Sequence, residues 1–407
     1  MIVNLKSPAM RRDPYPGYAT MRQSSEPVMI RYDVDGTNVY FLTRYTDVMT
    51  ALKDPRFAND RNRLPGKGGI DLNAMWYIPK ALKVLAYTMA LHDDPDHARL
   101  KKLVHKAFTP TRIAEMAADI ERLANEYLDQ AAKQPVVDLM DAFAIPLPLT
   151  VIGNMMGISA QDRHKFRRWM GNNITDASPD EPLKAIYKLV NTMGLGGFLE
   201  RLIDDRRRHP KPDLTTALVQ AEDDGDQLSE NELIGMLFLL LFAGHETTVN
   251  LIGSGTLALL QHPDQLEKLK ADPTLLDSTI EELLRYTNPV QHVAPRYALE
   301  DVEIGGVKIA QGSTVMLGIA AANYDPDMFP NPDQLDITRN PNRHVALGFG
   351  VHYCVGAPLA RLEGKIAFEV LLRRYPHMQL AAAPETLKWH GVPALRGLDK
   401  LPIQLNG

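Results

Sequence analysis

The 407-residue chain is 45% hydrophobic and 23% charged with a formal net charge of -5, the balance of a folded globular protein with material for a large core. The mild acidity excludes the basic footprint of a nucleic-acid binder, and a single cysteine excludes an internal disulfide and suits a reducing compartment. No Gly/Ser or Pro-rich linker and no repeat divides the sequence, so one domain over 1–407 is expected.

At the N-terminus, "MIVNLKSPAMRRDPYPGY" is broken by prolines and charges and lacks the apolar run of a signal peptide or anchor, which predicts a cytoplasmic protein without a membrane span. "MIRYDVDGTNVYFLTRY" reads as two strands joined near Asp35-Gly36. From Asp96 to about Tyr286 the apolar spacing is mostly helical, with breaks at "QPVVDL", "SPDEP" and "RRHPKPD". The charge run from Asp204 to Asp213 is expected to be a solvated helix end and loop rather than a partner surface.

Ser229 and Glu232 form a capping-box pattern, in which hydroxyl and carboxylate satisfy orphan backbone N–H groups. The helix they open is predicted to run to about His262, where Pro263 follows, a length on the order of 50 Å. Its longest apolar run, "LIGMLFLLLFAG" from Leu233 to Gly244, has 12 residues, short of the roughly 18 that suggest a membrane span. The middle then turns polar at "AGHETT", where an unpartnered carboxylate is costly to bury. Two readings fit: these side chains bond to carbonyls one turn back and bend the helix, or Gly244 admits a ligand while Glu246 and Thr247 form a proton-relaying pair beside it.

Downstream, Glu282 and Arg285 of "EELLR" are three apart and can pair on one helix face. "DVEIGGVKIAQGSTVML" predicts a hairpin around Gly305-Gly306. The only cysteine, Cys354, stands in "LGFGVHYCVG" among glycines that permit turns and close approach, including Gly348, Gly350 and Gly356. After Pro358, "LARLEGKIAFEVLLRRY" has a helical rhythm, so the sulfur precedes a helix N-terminus, whose positive field favours the metal-ligating thiolate. The alternative is a buried structural cysteine acting as a small hydrophobe. The elements add up to a mainly α fold with small β-sheets (α+β).

Together, "GFGVHYCVGAPLARLE", "AGHETT", "EELLR", "HDDPDHARLKKLV", "PRYALEDVEIGGVKI", "AAANYDPDMFPNPDQLDITR" and "LRGLDKLPI" resemble, over nearly the whole chain, the soluble bacterial cytochrome P-450 haem-thiolate monooxygenases. The resemblance implies a long central helix over a buried haem b (iron protoporphyrin IX) and insertion of one oxygen atom from O2 into a largely apolar small molecule, by hydroxylation or epoxidation. It makes Cys354 the iron ligand, whose thiolate donates electron density that favours O–O cleavage, and Glu246 and Thr247 the catalytic proton-delivery pair. Gly348 and Gly356 would frame the cofactor, and His97, Lys101, Arg296 and His352 would meet its propionates. Glu282, Arg285 and Arg339 would form a structural cluster. Substrate contacts would come from Met75, Trp76 and Met89, from Leu239, Leu240 and Ala243, and from Val290, His292, Val293 and Ala294, with His292 orienting a polar substrate group.

The chain ends where the family fold does, so electrons are expected from an external ferredoxin-type donor with its reductase. That donor would dock on a basic face formed by Lys101, Lys102, Lys106, Arg112, Arg361 and Lys365 of a monomer. Three positions depart from the family pattern: Leu347 for the usual Phe, Lys101 for Arg and Tyr324 for Arg. A cysteine hydrolase would need a strand before its nucleophile, and a haem sensor would need no relay pair. The runner-up is a haem-thiolate enzyme that isomerises or oxidatively couples its substrate without net oxygen insertion.

Overall fold

A computed structural model of the protein describes residues 1–5, 7–24, 27–31, 38–64, 83–159, 161, 162, 165, 169, 182–223, 225–390 and 394–406. The chain divides into two compact units. The first comprises residues 1–69, 121–144 and 247–407, and the second residues 70–120 and 145–246.

The first unit contains a six-stranded mixed sheet in the order β1-β2-β3-β6-β5-β4, formed by β1 Ile2–Val3, β2 Met29–Arg31, β3 Asn38–Leu42, β4 Phe57–Ala58, β5 Arg296–Ala298 and β6 Thr314–Leu317. The antiparallel pairing of β2 with β3 brackets the turn expected near Asp35-Gly36, which itself lies outside the described residues. Strand alternation places two cores on opposite faces. Val39 and Phe41 of β3 pack with Tyr18 and Met21 of the helix Tyr15–Arg22. Leu42, Val315 and Leu317 pack with Val48, Ala51 and Leu52 of the helix Tyr45–Lys53. The hairpin expected at Gly305-Gly306 forms between Val302–Ile304 and Val307–Ile309.

A third core joins the C-terminal half of the central helix Glu230–Gln261 to the helices Pro263–Ala271, Leu276–Thr287 and Ala357–Arg374. Glycines set the closest approach. A Cβ on Gly255 would lie 2.7 Å from Phe368, and one on Gly364 would lie 3.1 Å from Leu251, so larger residues would push these helices apart.

The second unit holds the helices Asp96–Ala107, Pro146–Met155, Pro182–Arg208 and Leu214–Val219 and the start of the central helix. The capping box is present: Ser229 N–H donates to Glu232 Oε2 at 2.8 Å and Glu232 N–H to Ser229 Oγ at 3.4 Å. Glu232 also accepts from Arg99, anchoring the helix start to Asp96–Ala107. Among the described residues the central helix is the one long and apolar enough to cross a membrane, and 61% of its apolar window is buried inside the protein.

The expectation of a solvated charge run at Asp204–Asp213 fails at Arg206. Its side chain is 3% exposed, pairs with Asp205 and Asp213, and donates from Nη2 to the Gly157 carbonyl at 2.7 Å. Ion pairs and a carbonyl replace water here, and Arg206 locks the end of a long helix to the loop after Met155.

Candidate active site

Backbone holds Cys354. Its N–H donates to the Leu347 carbonyl at 3.0 Å, and its own carbonyl accepts from Ala357 N–H at 3.3 Å, where the helix Ala357–Arg374 begins. Gly348 and Gly350 each have φ of +71°, a left-handed conformation that most residues resist, and they fold 347–354 into a tight arch. Cys354 is exposed. A Cβ on Gly356 would lie 3.8 Å from Cys354 Sγ, so glycine leaves that flank of the sulfur open. A soft donor, uncrowded, fixed by backbone and placed before the partial positive charge of an 18-residue helix fits the proximal pole of a haem. Leu347 packs against the third core. Aliphatic packing and a carbonyl to Cys354 are therefore what this position supplies instead of a ring.

An acidic cluster braces the arch. Arg361 donates from Nε and Nη2 to Glu281 at 2.6 and 2.8 Å and from Nη1 to the Tyr353 hydroxyl at 3.0 Å, one residue from the cysteine. His344 lies 3.1 Å from the same carboxylate. Burial by itself would raise the Glu281 pKa, but the hydrogen bonds from Arg361 and His344 outweigh it and hold the carboxyl at about 2. Sequence reasoning passed over Glu281, although the doublet in "EELLR" was its signal.

Beside it, Glu282 and Arg285 are fully buried. Arg285 donates twice to Glu282 at 2.8 Å and also reaches the carbonyls of Asn323, Pro332 and Gln334. Glu282 additionally accepts from Arg339 Nε at 3.2 Å, Asp336 N–H at 3.0 Å and Asn342 Nδ2 at 3.0 Å. The structure thus brings Glu282, Arg285 and Arg339 together. Tyr324 joins this region, stacking on Tyr15 with ring centroids 3.8 Å apart and donating to the Tyr286 carbonyl at 2.8 Å. Burial pushes its phenol well above the ordinary range, so it acts as a neutral donor where the family has a cation.

Of the propionate candidates, the first unit holds Arg296 and His352. Arg296 is buried on β5 opposite Val315 of β6, and the His352 ring contacts the Asn59 amide. The second unit holds His97 and Lys101, one turn apart on Asp96–Ala107. His97 is buried with Nδ1 3.5 Å from Asp94, and burial followed by the Lys101 charge lowers its pKa.

The polar centre of the central helix is two-sided. His245, Glu246 and Thr248 are buried, with His245 Nδ1 3.8 Å from Glu246 Oε2. Leu239 and Thr247 are half-buried and Ala243 is exposed, and these three are four residues apart, forming one open stripe along the helix.

The other expected substrate contacts divide. Met75 and Trp76 lie outside the described residues. Met89 and Leu240 are buried, Val290 and Val293 half-buried, and Ala294 exposed. His292 is buried, its Nε2 has no partner among the described residues, and burial lowers its pKa to about 4, leaving a neutral imidazole. The expected basic face needs correction in the first unit: Arg361 is spent on Glu281, and Lys365 lies 2.7 Å from Asp277. The exposed residues at the arch are instead Phe349, Val351 and Tyr353, with the Lys53 ammonium over the Phe349 ring.

A lone cysteine arched over a helix N-terminus, in a mostly helical fold with a polar-centred helix, defines a haem-thiolate protein. The sequence model described as "Cytochrome P450" matches residues 71–393, and the chain belongs to the cytochrome P450 family. It is 44% identical over 369 residues to "Polyketide biosynthesis cytochrome P450 PksS" of Bacillus subtilis (strain 168), covering 90% of this chain and 89% of that one. It is 41% identical over 397 residues to "Cytochrome P450 monooxygenase PikC" of Streptomyces venezuelae, covering 96% and 91%. It is 37% identical over 409 residues to "6-deoxyerythronolide B hydroxylase" of Saccharopolyspora erythraea, covering 100% and 99%. The solved structure of Bacillus subtilis PksS superposes with a TM-score of 0.89 at 41% identity, covering 98% of this chain and 99% of that one. The protein is a haem b-binding monooxygenase, an oxidoreductase that uses O2, a small-molecule substrate and an external redox partner.

Proposed function

We propose that Cys354 is the haem ligand and that Thr247, with Glu246 beside it, delivers protons during oxygen activation. The observation that carries this is the arch: a sole, exposed cysteine fixed by backbone bonds between two positive-φ glycines and a helix N-terminus. When bound, the haem supplies O2 binding and activation through its iron. Arg296, His352, His97 and Lys101 supply cationic or hydrogen-bonding partners for its propionates. Leu239, Ala243 and Thr247 present the open stripe of the central helix, with the Thr247 hydroxyl holding a transferable proton there. Ala294, Val293 and the neutral imidazole of His292 suit an apolar substrate carrying one hydrogen-bonding group.

The names of PksS and 6-deoxyerythronolide B hydroxylase support a bulky substrate of polyketide type. Exposed Phe349, Val351 and Tyr353 support an apolar docking face at the arch for a ferredoxin-type donor. The chain works as one haem domain, in keeping with relatives that match it from end to end, and as a cytoplasmic monomer.

The test is the absorption spectrum of the reduced, carbon monoxide-treated protein. The wild type shows the thiolate-type band, and Cys354→Ala lacks it. A Cys354→Ala protein that keeps the band ends the assignment. Thr247→Ala retains the band but diverts reducing equivalents to peroxide, and unchanged coupling to product argues against the relay. Product analysis with labelled O2, after a spectral binding screen of macrolactones, distinguishes oxygen insertion from isomerisation or coupling.

A further inference from the structure

The first unit encloses a cavity of about 600 Å³, within the range that small-molecule sites occupy. None of the residues assigned above to haem, proton delivery or substrate is among the described residues that line it. Aromatic rings form much of its wall. Tyr15 and Tyr324 stack there with centroids 3.8 Å apart, and Trp389 lies across from them on the strand Trp389–His390. Tyr324 stands where the family usually has Arg, so a ring faces this space in place of a cation.

The same wall carries a buried cation with no counter-ion. Arg396 is 8% exposed, and no carboxylate lies within ion-pair distance of it among the described residues. Its Nη1 and Nη2 each donate at 2.8 Å to a backbone carbonyl, of Arg11 and of Arg12, and its guanidinium lies 3.7 Å from the centre of the Trp389 ring. Carbonyls and ring faces are dipoles and quadrupoles, so they offset only part of what burying a full charge costs. An arginine does not shed that charge. Burial weighs against the charged form, while Asp13 favours it from beyond ion-pair distance. Arg22 also lines the cavity, spends Nη1 on the Ala321 carbonyl and makes no ion pair among the described residues; Asp325 and Asp327 act on it only through space. Further in, the Ser254 hydroxyl is buried and has no partner among the described residues. The two acids of the lining, Asp13 and Asp333, are exposed. Water screens them, whereas a charge at the buried end acts ~4-fold more strongly at equal distance.

We propose that this cavity is a second small-molecule site, apart from the haem, which takes a planar aromatic carboxylate. The carboxylate supplies the counter-charge that Arg396 lacks, and the ring packs among Tyr15, Tyr324 and Trp389. Stacking on Trp389 covers the face of the guanidinium and leaves its edge for an anion, the approach that a planar fork of N–H groups favours. Arg22 and the Ser254 hydroxyl offer further donors to polar substituents on the ring. The site uses no haem ligand and no part of the Thr247 turn, so it stands or falls separately from the proposed function.

Calorimetry and crystallography of the haem-loaded protein with 2-naphthoate test the site. One equivalent should bind with the haem absorption spectrum unchanged, and density for the ligand should lie against Arg396. No binding, or density over the haem alone, overturns the proposal. Arg396→Gln removes the charge-assisted bonds and should weaken binding by about tenfold or more; an unaltered affinity in that variant overturns the role of Arg396. 2-Naphthalenemethanol, the same ring without the charge, should bind about tenfold more weakly than the carboxylate, and equal binding overturns the anionic assignment. Tighter binding of 2-naphthylmethylammonium would give the cavity to cations through Asp13 and Asp333 and overturn it as well. Trp389→Leu should weaken 2-naphthoate by about threefold or more. If Arg396→Gln fails to load haem, Trp389→Leu and the neutral alcohol decide.

Discussion

Glu282 and Glu363 are both fully buried, on the neighbouring helices Leu276–Thr287 and Ala357–Arg374, yet their surroundings differ in kind. Glu282 accepts from two arginines, a carboxamide and a backbone N–H, and its partner Arg285 reaches three further carbonyls. Glu363 accepts from nothing among the described residues. A carboxylate surrounded by donors ties together segments distant in sequence. A carboxyl with no donors keeps its proton and depends on water. Burial alone therefore does not tell a matched glutamate from an unmatched one; the donors around it do.

The contrast is easiest to break at Arg285. Arg285→Leu leaves Glu282 buried without its main counter-charge and should cost ~3–5 kcal/mol, seen as a lower urea midpoint and poor haem loading. If stability is unchanged, the cluster is not the interlock described here.

The acid limb of stability sharpens the comparison at Glu281. Its folded pKa of about 2 lies below its ordinary 4.5, so its contribution is fully present above pH 4.5 and disappears as pH falls toward 2. Allowing for partial exposure, Glu281→Gln should lose ~1–2 kcal/mol at neutral pH and flatten that limb. Denaturant titrations between pH 2 and pH 6, with and without the substitution, measure it.

Glu363→Leu should cost no more than ~1 kcal/mol in a urea titration, because the side chain gives up no hydrogen bond to the described residues. A loss as large as that of Arg285→Leu would place Glu363 with Glu282.

The smallest effect is expected at His292, a second buried group with an unpartnered atom. Its pKa is lowered from 6.5 to about 4 by burial, so it stays neutral above pH 6.5 and burdens the fold only as pH falls through that range toward 4. An NMR titration that finds the imidazole protonated at pH 6 would contradict this environment.

What was legible in the sequence is local. The capping box at Ser229 and Glu232, the spacing of Glu282 and Arg285 and the glycines around Cys354 are patterns within a few residues, and each forms the contact or turn its spacing implies. Arg206 was misread because its burial depends on Gly157 and on a loop that folds back over it. The role of Tyr324 was hidden because its stacking partner, Tyr15, lies near the opposite end of the chain.

The sequence by itself thus determined the helix boundaries, the cysteine arch and the ion pair one turn long, since backbone sterics and i, i+3 geometry act within a single element. Only the tertiary structure decided which buried polar groups are matched. The five donors on Glu282 come from its own helix and from residues 336–342, some fifty positions further along the chain, and the isolation of Asn250, Ser254 and Glu363 arises where two helices pack at glycines. Desolvation and hydrogen bonding depend on what surrounds a group in space, and residue order alone does not say what that is.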